Sequence, residues 1–324
     1  MSRGPARAVF HDLAPEAESF RDCVLEGLSR RQKSIPCRFL YDARGSALFE
    51  AICETPEYYP TRTETAILAR HAPEIATSMG RRCELIEFGS GSSRKVRLLL
   101  AALDKPTAYV AIDISREALR DAANDLAQAC PGVAVVAVCA DYMRPLALPA
   151  LPETREGRRL GFFPGSTIGN LDPGAAVAFL AGCRRVIRSN GAMLVGVDLK
   201  KDEKILHAAY NDPQGITAAF NLNLLVRVNR ELDGDFDLRR FAHDAFYNSR
   251  AGKVEIYIRS RADQIVTVAG RRFRFAEGER IHTEDSWKYT EREFQTLATR
   301  AGYRPVRCWV DQARLFSVHL LTPA

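Results

Sequence analysis

The chain has 324 residues, 46% hydrophobic and 27% charged, an ordinary globular balance that lets it bury a core as one large domain or two modest ones. Lys and Arg number 46 against 40 Asp and Glu, a formal charge of +6, and the basic residues fall in scattered pairs (Arg30-Arg31, Arg81-Arg82, Arg271-Arg272), so no nucleic-acid partner is expected. No apolar run approaches the roughly 20 residues of a membrane span. None opens the chain as a signal peptide would. The eight cysteines form neither a CxxC pair nor a Cys/His cluster with zinc-ligand spacing, so reduced thiols and no metal are expected in a cytoplasmic monomer without a membrane partner.

In chain order, Phe20–Leu28 and Ser46–Cys53 have helical apolar spacing. The run from Thr55 to Arg62 brackets polar and aromatic residues with two prolines and reads as an ordered loop. From Thr63 the pattern changes. A helix (Glu64–Ile75) leads to a strand (Cys83–Phe88), glycines, a helix (Lys95–Leu103) and a strand (Ala108–Ile112) closed by Asp113. A helix follows at Arg116–Ala129, with Ser115 as its N-cap. Next come strands Val133–Val138 and Leu160–Phe163, the segment Gly165–Leu171, a helix (Gly174–Ile187) and a strand (Ala192–Val197) ending at Asp198. Such alternation predicts βαβ units and a parallel, doubly wound sheet.

The alternation then breaks into a helix (Ile216–Val226) and the strands Lys253–Arg259, Gln264–Val268 and Arg271–Phe275. A helix (Glu291–Ala301) and an antiparallel edge hairpin (Val306–Val310, Leu315–Leu321) close the chain. The expected fold is therefore α/β: a Rossmann-like domain over residues 63–202 and 289–324, with residues 1–62 and 203–288 forming a second, α+β lobe.

Ligands of an open parallel sheet sit beyond the carboxyl ends of its strands. Gly89 and Gly91 follow the first strand of the βαβ series, where backbone can approach a ligand closely. Asp113 ends the second strand, 22 residues past Gly91, as a carboxylate that accepts both hydroxyls of a ribose. Asp141 ends the third beside Tyr142, a pair suited to an adenine amino group and ring. The dinucleotide fingerprint wants a third glycine, but Arg94 stands there. Glu87 precedes the turn; it repels a pyrophosphate and suits the sulfonium and amino group of S-adenosylmethionine (SAM). SAM is thus favoured over NAD, and the reversed edge hairpin resembles the seventh strand of class I methyltransferases. Lys95 reads either as a partner of the SAM carboxylate or as a solvated first-turn lysine.

Several strings lie outside that constellation: Phe39–Ser46, Pro56–Arg62, Gly165–Leu171, Ala209–Asp212 with Thr217–Asn221, and Ile281–Lys288. Together, from about Lys33 to Leu321, they resemble the histidine Nα-methyltransferase family of ergothioneine biosynthesis. The resemblance implies a class I SAM-dependent methyltransferase domain with a substrate-binding lobe. It implies three methyl transfers from SAM to the α-amino group of L-histidine, a small-molecule substrate, giving hercynine. It assigns Tyr58 to the amine as the catalytic residue, with Phe49 and Tyr41 nearby. Asn170 and Tyr210 go to the carboxylate end, and Glu284 and Ser286 to the imidazole, Ser286 serving its nitrogen as donor or acceptor. Gly89, Lys95, Asp113, Asp141 and Tyr142 go to SAM. Ile256 falls where the imidazole pocket is lined, and Tyr142 stands where the family pattern has phenylalanine. The alternatives are Nα-methylation of another amino acid, such as tryptophan or a modified histidine, and a non-catalytic SAM-binding regulator. Glu284 speaks against a plain indole; Tyr58, Asn170 and Tyr210 speak against the regulator.

Overall fold

The computed structural model describes residues 7–13, 19–90, 94–149 and 157–324. In chain order they form β1 (Val9–Asp12), α1 (Phe20–Ser29), α2 (Ala43–Glu54), α3 (Tyr59–Met79), β2 (Glu84–Phe88), α4 (Arg94–Ala102), β3 (Ala108–Asp113) and α5 (Arg116–Ala129). Then come β4 (Ala134–Cys139), β5 (Arg159–Phe163), α6 (Pro173–Ile187), β6 (Ala192–Asp198), α7 (Glu203–Tyr210) and α8 (Ile216–Glu231). The last are β7 (Phe241–Asn248), β8 (Lys253–Ser260), β9 (Gln264–Val268), β10 (Arg271–Phe275), β11 (Arg280–Trp287), α9 (Glu291–Arg300), β12 (Tyr303–Val310) and β13 (Phe316–Pro323). Two compact units emerge, one from residues 1–15, 60–199 and 289–324, the other from 16–59 and 200–288.

The first unit is built on an eight-stranded sheet of order β1-β4-β3-β2-β5-β6-β13-β12. All neighbours from β1 to β6 run parallel; β13 runs antiparallel between β6 and β12. Every residue of β2, β5 and β6 is buried, as expected of parallel strands covered on both faces. The chain winds one way through β2, β3 and β4 and the other through β5 and β6, which puts the switch point between β2 and β5. Two sequence expectations are corrected. Residues 9–12 pair with β4 as an extra edge strand, so these residues join the sheet rather than the lobe. The proline-bracketed run is not loop throughout: α3 begins at Tyr59, with Pro60 in the first turn, where its missing N–H goes unneeded.

The second unit packs α1, α2, α7 and α8 with a three-stranded sheet, β11-β8-β7, and a β9–β10 ribbon, both antiparallel. Val24, Leu25, Leu28 and Phe39 share its core with Phe220, Leu224, Leu225, Val228, Ile258 and Phe275. Asp42 caps α2 by accepting from the Gly45 N–H at 2.8 Å. It also accepts from Asn223 Nδ2 at 2.8 Å and Arg230 at 2.7 Å, both on α8. That clamp fixes the α2 aromatics against α8. A bulge interrupts β11 between His282 and Glu284, with Thr283 Oγ1 donating to the Ile256 carbonyl at 3.1 Å. The extra residue resets side-chain parity. His282 and Asp285 fall on one face, bonded to each other at 2.9 Å, with Lys253 donating to Asp285 at 2.7 Å. Glu284 and Ser286 fall on the other, opposite Ile256 and Val254, on the side of the buried Ile281.

Candidate active site

In the first unit the cofactor candidates gather where the parallel strands end. Gly89 has φ +75°, a left-handed turn, and its N–H donates to the Ile112 carbonyl at 2.9 Å. A Cβ there would lie 3.5 Å from the Tyr142 hydroxyl. Tyr142 in turn packs edge-on to Phe163 and Phe179, with centroids 5.9 and 5.7 Å away. Asp113 ends β3 and Asp141 lies two residues beyond the end of the adjacent β4, the two linked by Ala140 N–H donating to Asp113 O at 2.9 Å. The Asp113 carboxylate accepts from the Ser115 N–H at 2.8 Å, and burial raises its pKa. Ser115 does cap α5 but makes no side-chain cap bond. Asp141 accepts from the Met143 N–H at 2.9 Å. Gly91 lies outside the described residues.

Two acids sit behind this rim. Glu87 is buried at the end of β2 and accepts from the Tyr109 hydroxyl, which also meets Ser90 Oγ at 3.3 Å. Burial pushes Glu87 up to about 7, against the pull of the Tyr109 bond and the Lys95 charge. Glu64, on α3, is fully buried; it pairs with Lys95 and accepts from the Gly165 N–H at 2.8 Å. Lys95 is therefore not a solvated surface lysine. Gly196 makes room for this pair, because a Cβ there would come within 2.0 Å of Glu64 Oε1. Ser166 takes a left-handed φ of +56°, and its Oγ accepts from the Asp198 N–H at 2.9 Å. Asn170 closes the short 3₁₀ turn after it, in this same unit.

In the second unit an aromatic chain links Tyr41, Phe49, Tyr58 and Tyr210. Centroids are 5.6 Å apart for Tyr41–Phe49, 6.3 Å for Phe49–Tyr58 and 6.4 Å for Tyr58–Tyr210. Phe220 supports its first two rings. The Tyr210 hydroxyl lies 2.8 Å from Ser286 Oγ. Lys288, 1% exposed, donates to Tyr210 at 2.7 Å and to Ser286 at 2.8 Å. The backbone of Tyr210 is held by His243, whose Nε2 lies 2.9 Å from its carbonyl. Asn221 Nδ2 meets His243 Nδ1 at 3.0 Å and donates to Tyr257 O at 2.9 Å, so Nδ1 accepts and Nε2–H is the donor. Burial lowers the pKa of His243, in keeping with that neutral form. Beside this cluster, Glu284 raises the pKa of the buried Cys37 thiol, second to burial itself, which together push it to about 12.

Sequence reasoning missed Glu64, Tyr109 and Lys288. Glu64 and Tyr109 read as ordinary helix and strand residues, and only the string ending in Lys288 carried a signal. Among the described residues no group of three or more His, Cys, Asp or Glu is arranged to hold a metal, and no helix is long and apolar enough to cross a membrane.

A parallel sheet with one reversed strand, a glycine turn after β2 and carboxylates at or just beyond the ends of β3 and β4 define a class I, Rossmann-like methyltransferase that uses SAM. The chain belongs to the histidine-specific, SAM-dependent methyltransferase family, whose sequence model matches residues 20–323. It is 40% identical over 309 residues to histidine N-alpha-methyltransferase of Mycolicibacterium smegmatis, covering 94% of this chain and 95% of that one. The Mycobacterium tuberculosis protein of the same name is 39% identical, with 93% and 94% covered. Ergothioneine biosynthesis protein 1 of Neurospora crassa is 34% identical, and 89% of this chain matches 33% of that longer protein.

Proposed function

We propose that the protein methylates the α-amino nitrogen of L-histidine three times, using SAM, to give hercynine, the first step of ergothioneine biosynthesis. Family membership supports the reaction class, and the activity for which the relatives are named supports the acceptor atom. The observation that carries the substrate reading is the inward face of β11. Glu284 and Ser286 stand two residues apart on it, about 6.7 Å along the strand. That spacing suits hydrogen bonds to the two nitrogens of one imidazole, Glu284 accepting an N–H.

When bound, SAM supplies a methyl group on a positively charged sulfur. Gly89 and Tyr142 fit its nucleoside, Asp113 its ribose, Asp141 its adenine, and Glu87 its ammonium; Lys95 completes the set. Tyr58 orients the neutral amine so that its lone pair faces the methyl. Tyr210 and Asn170 hold the carboxylate. Such positioning alone is worth up to roughly 7–11 kcal/mol. The growing methylammonium gains about 0.5–2 kcal/mol from an aromatic face such as Phe49, with Tyr41 behind it. The third product is a permanent cation with no lone pair, so the reaction stops there.

Incubation with histidine and SAM, followed by mass spectrometry, should show addition of up to three methyl groups to histidine and none to tryptophan. No mass gain on histidine, or gain on tryptophan instead, overturns the proposal.

A further inference from the structure

Tyr109 and Glu87 lie on neighbouring parallel strands, and the register sets Tyr109 level with Leu85 and Glu87 level with Ala111. The Tyr109 ring therefore runs forward along the sheet for two residues, about 6.6 Å, to bring its hydroxyl to the Glu87 carboxylate. A phenol has one proton, and here it goes to Glu87 Oε2, so Tyr109 accepts from Ser90 Oγ, 3.3 Å away. The result is a chain from Ser90 to Tyr109 to Glu87, which leaves the glycine turn and returns to the acid in front of it. The backbone of the turn is tied to the same strand, since the Gly89 and Ser90 N–H groups both donate to the Ile112 carbonyl, at 2.9 and 3.3 Å. Tyr109 and Glu87 are each 2% exposed, so both polar groups depend on protein partners rather than bulk water.

We propose that Tyr109 is a positioning residue for the cofactor: its hydroxyl fixes the Glu87 carboxylate beside the glycine turn, where that carboxylate meets the ammonium of SAM. This rests on the reading above that Glu87 takes the ammonium. A neutral donor holds a carboxylate without cancelling its charge, which a lysine in the same place would do. The bond also favours the charged form of the acid. Burial pushes Glu87 up to about 7, and the Tyr109 bond is the strongest influence against it, ahead of the Lys95 charge on α4. Among the described residues, the other charged groups acting on Glu87 are Asp113 on β3 and Glu64 on α3, and both push it up further. The Tyr109 hydroxyl itself keeps its proton, because burial and the Glu87 charge raise its pKa. Without that hydroxyl, Glu87 is neutral well above pH 7 and offers the ammonium a poorer partner.

The test is the SAM dissociation constant, read by calorimetry from about pH 6 to 9 in the wild-type protein and in Tyr109→Phe, which removes only the hydroxyl. A hydrogen bond to a charged group amounts to about 10- to 100-fold, or about one to two pH units. SAM should therefore bind Tyr109→Phe about 10- to 100-fold more weakly at pH 6, and the gap should shrink toward none as the pH approaches 9. In a Glu87→Gln background the same change should add little. No loss, a loss of equal size at every pH, or a loss undiminished in Glu87→Gln overturns the proposal; the last two make Tyr109 structural. If Tyr109→Phe does not fold, Ser90→Ala carries the same comparison, because it weakens the phenol as a donor. A smaller loss that also fades toward pH 9 then supports the proposal, and no loss or a uniform one overturns it. A wild-type protein whose SAM affinity does not fall below pH 7, and whose Glu87→Gln variant binds equally well, overturns the Glu87–ammonium reading itself, a result distinct from failure of the Tyr109 variant.

Discussion

Glu87 is the residue where burial and function pull in opposite directions. Raised from 4.5 to about 7 by burial, it favours its proton in the unliganded protein. The folded pKa exceeds the unfolded one, so this group costs no stability below pH 4.5; the cost sets in between 4.5 and about 7 and is complete above. A ligand ammonium reverses the preference by stabilising the carboxylate. SAM binding below pH 7 should therefore release a proton, and affinity should fall as the pH is lowered, by up to about tenfold per unit. Calorimetry in buffers of different ionisation enthalpy reads that proton, and Glu87→Gln should bind more weakly and release none. Proton release unchanged in the variant would point to another group. The positions of Glu87, Gly89, Asp113 and Asp141 at or just beyond strand ends were legible because the apolar run of each strand announces where it stops. Glu64 and Lys288 were not. Each acts on side chains or backbone that the linear pattern does not connect to it, Glu64 on Gly165 and Lys288 on Tyr210.

At the level of elements, the parallel strands were readable as continuous apolar runs, whereas β7 and β11 were not. Their sequences, FAHDAFYN and RIHTEDSW, carry charges and hydroxyls on both faces. In β11 the bulge also breaks the alternation that would have marked it. The same blindness covered the α2–α8 clamp, because Asp42 precedes its α8 partners Asn223 and Arg230 by more than 180 residues. Asp42→Ala removes the α2 cap and leaves Asn223 without this acceptor. A loss of about 1–3 kcal/mol is expected, the sum of a cap and a buried bond, readable by urea denaturation. Because α2 carries Phe49, histidine KM should rise while SAM affinity holds. An unchanged stability would mean that the cap is redundant.

The molecule as a whole follows from how its sheet is completed. Strand β6 has seven buried residues and borrows its outer partner, β13, from the far end of the chain. A fragment ending at Leu199 leaves that apolar edge open, the arrangement most prone to aggregate. Such a fragment should elute as aggregates on size exclusion and bind no SAM; a monomeric, SAM-binding fragment would show that β12 and β13 are dispensable. The alternation of strands and helices made this sheet readable from the sequence. The second unit, assembled from two distant segments, has no such rhythm.

That discontinuity sets a timetable for synthesis. Val24, Leu25, Leu28 and Phe39 leave the ribosome well before the core partners Phe220, Leu224 and Val228 exist. At about 5–20 residues per second, crossing the intervening residues 60–199 takes roughly 7–30 s. Throughout that interval an apolar segment waits without its core, exposed to chaperones and to neighbouring nascent chains. The yield of active protein in a cell is then governed by translation speed and chaperone supply as well as by the stability of the finished fold.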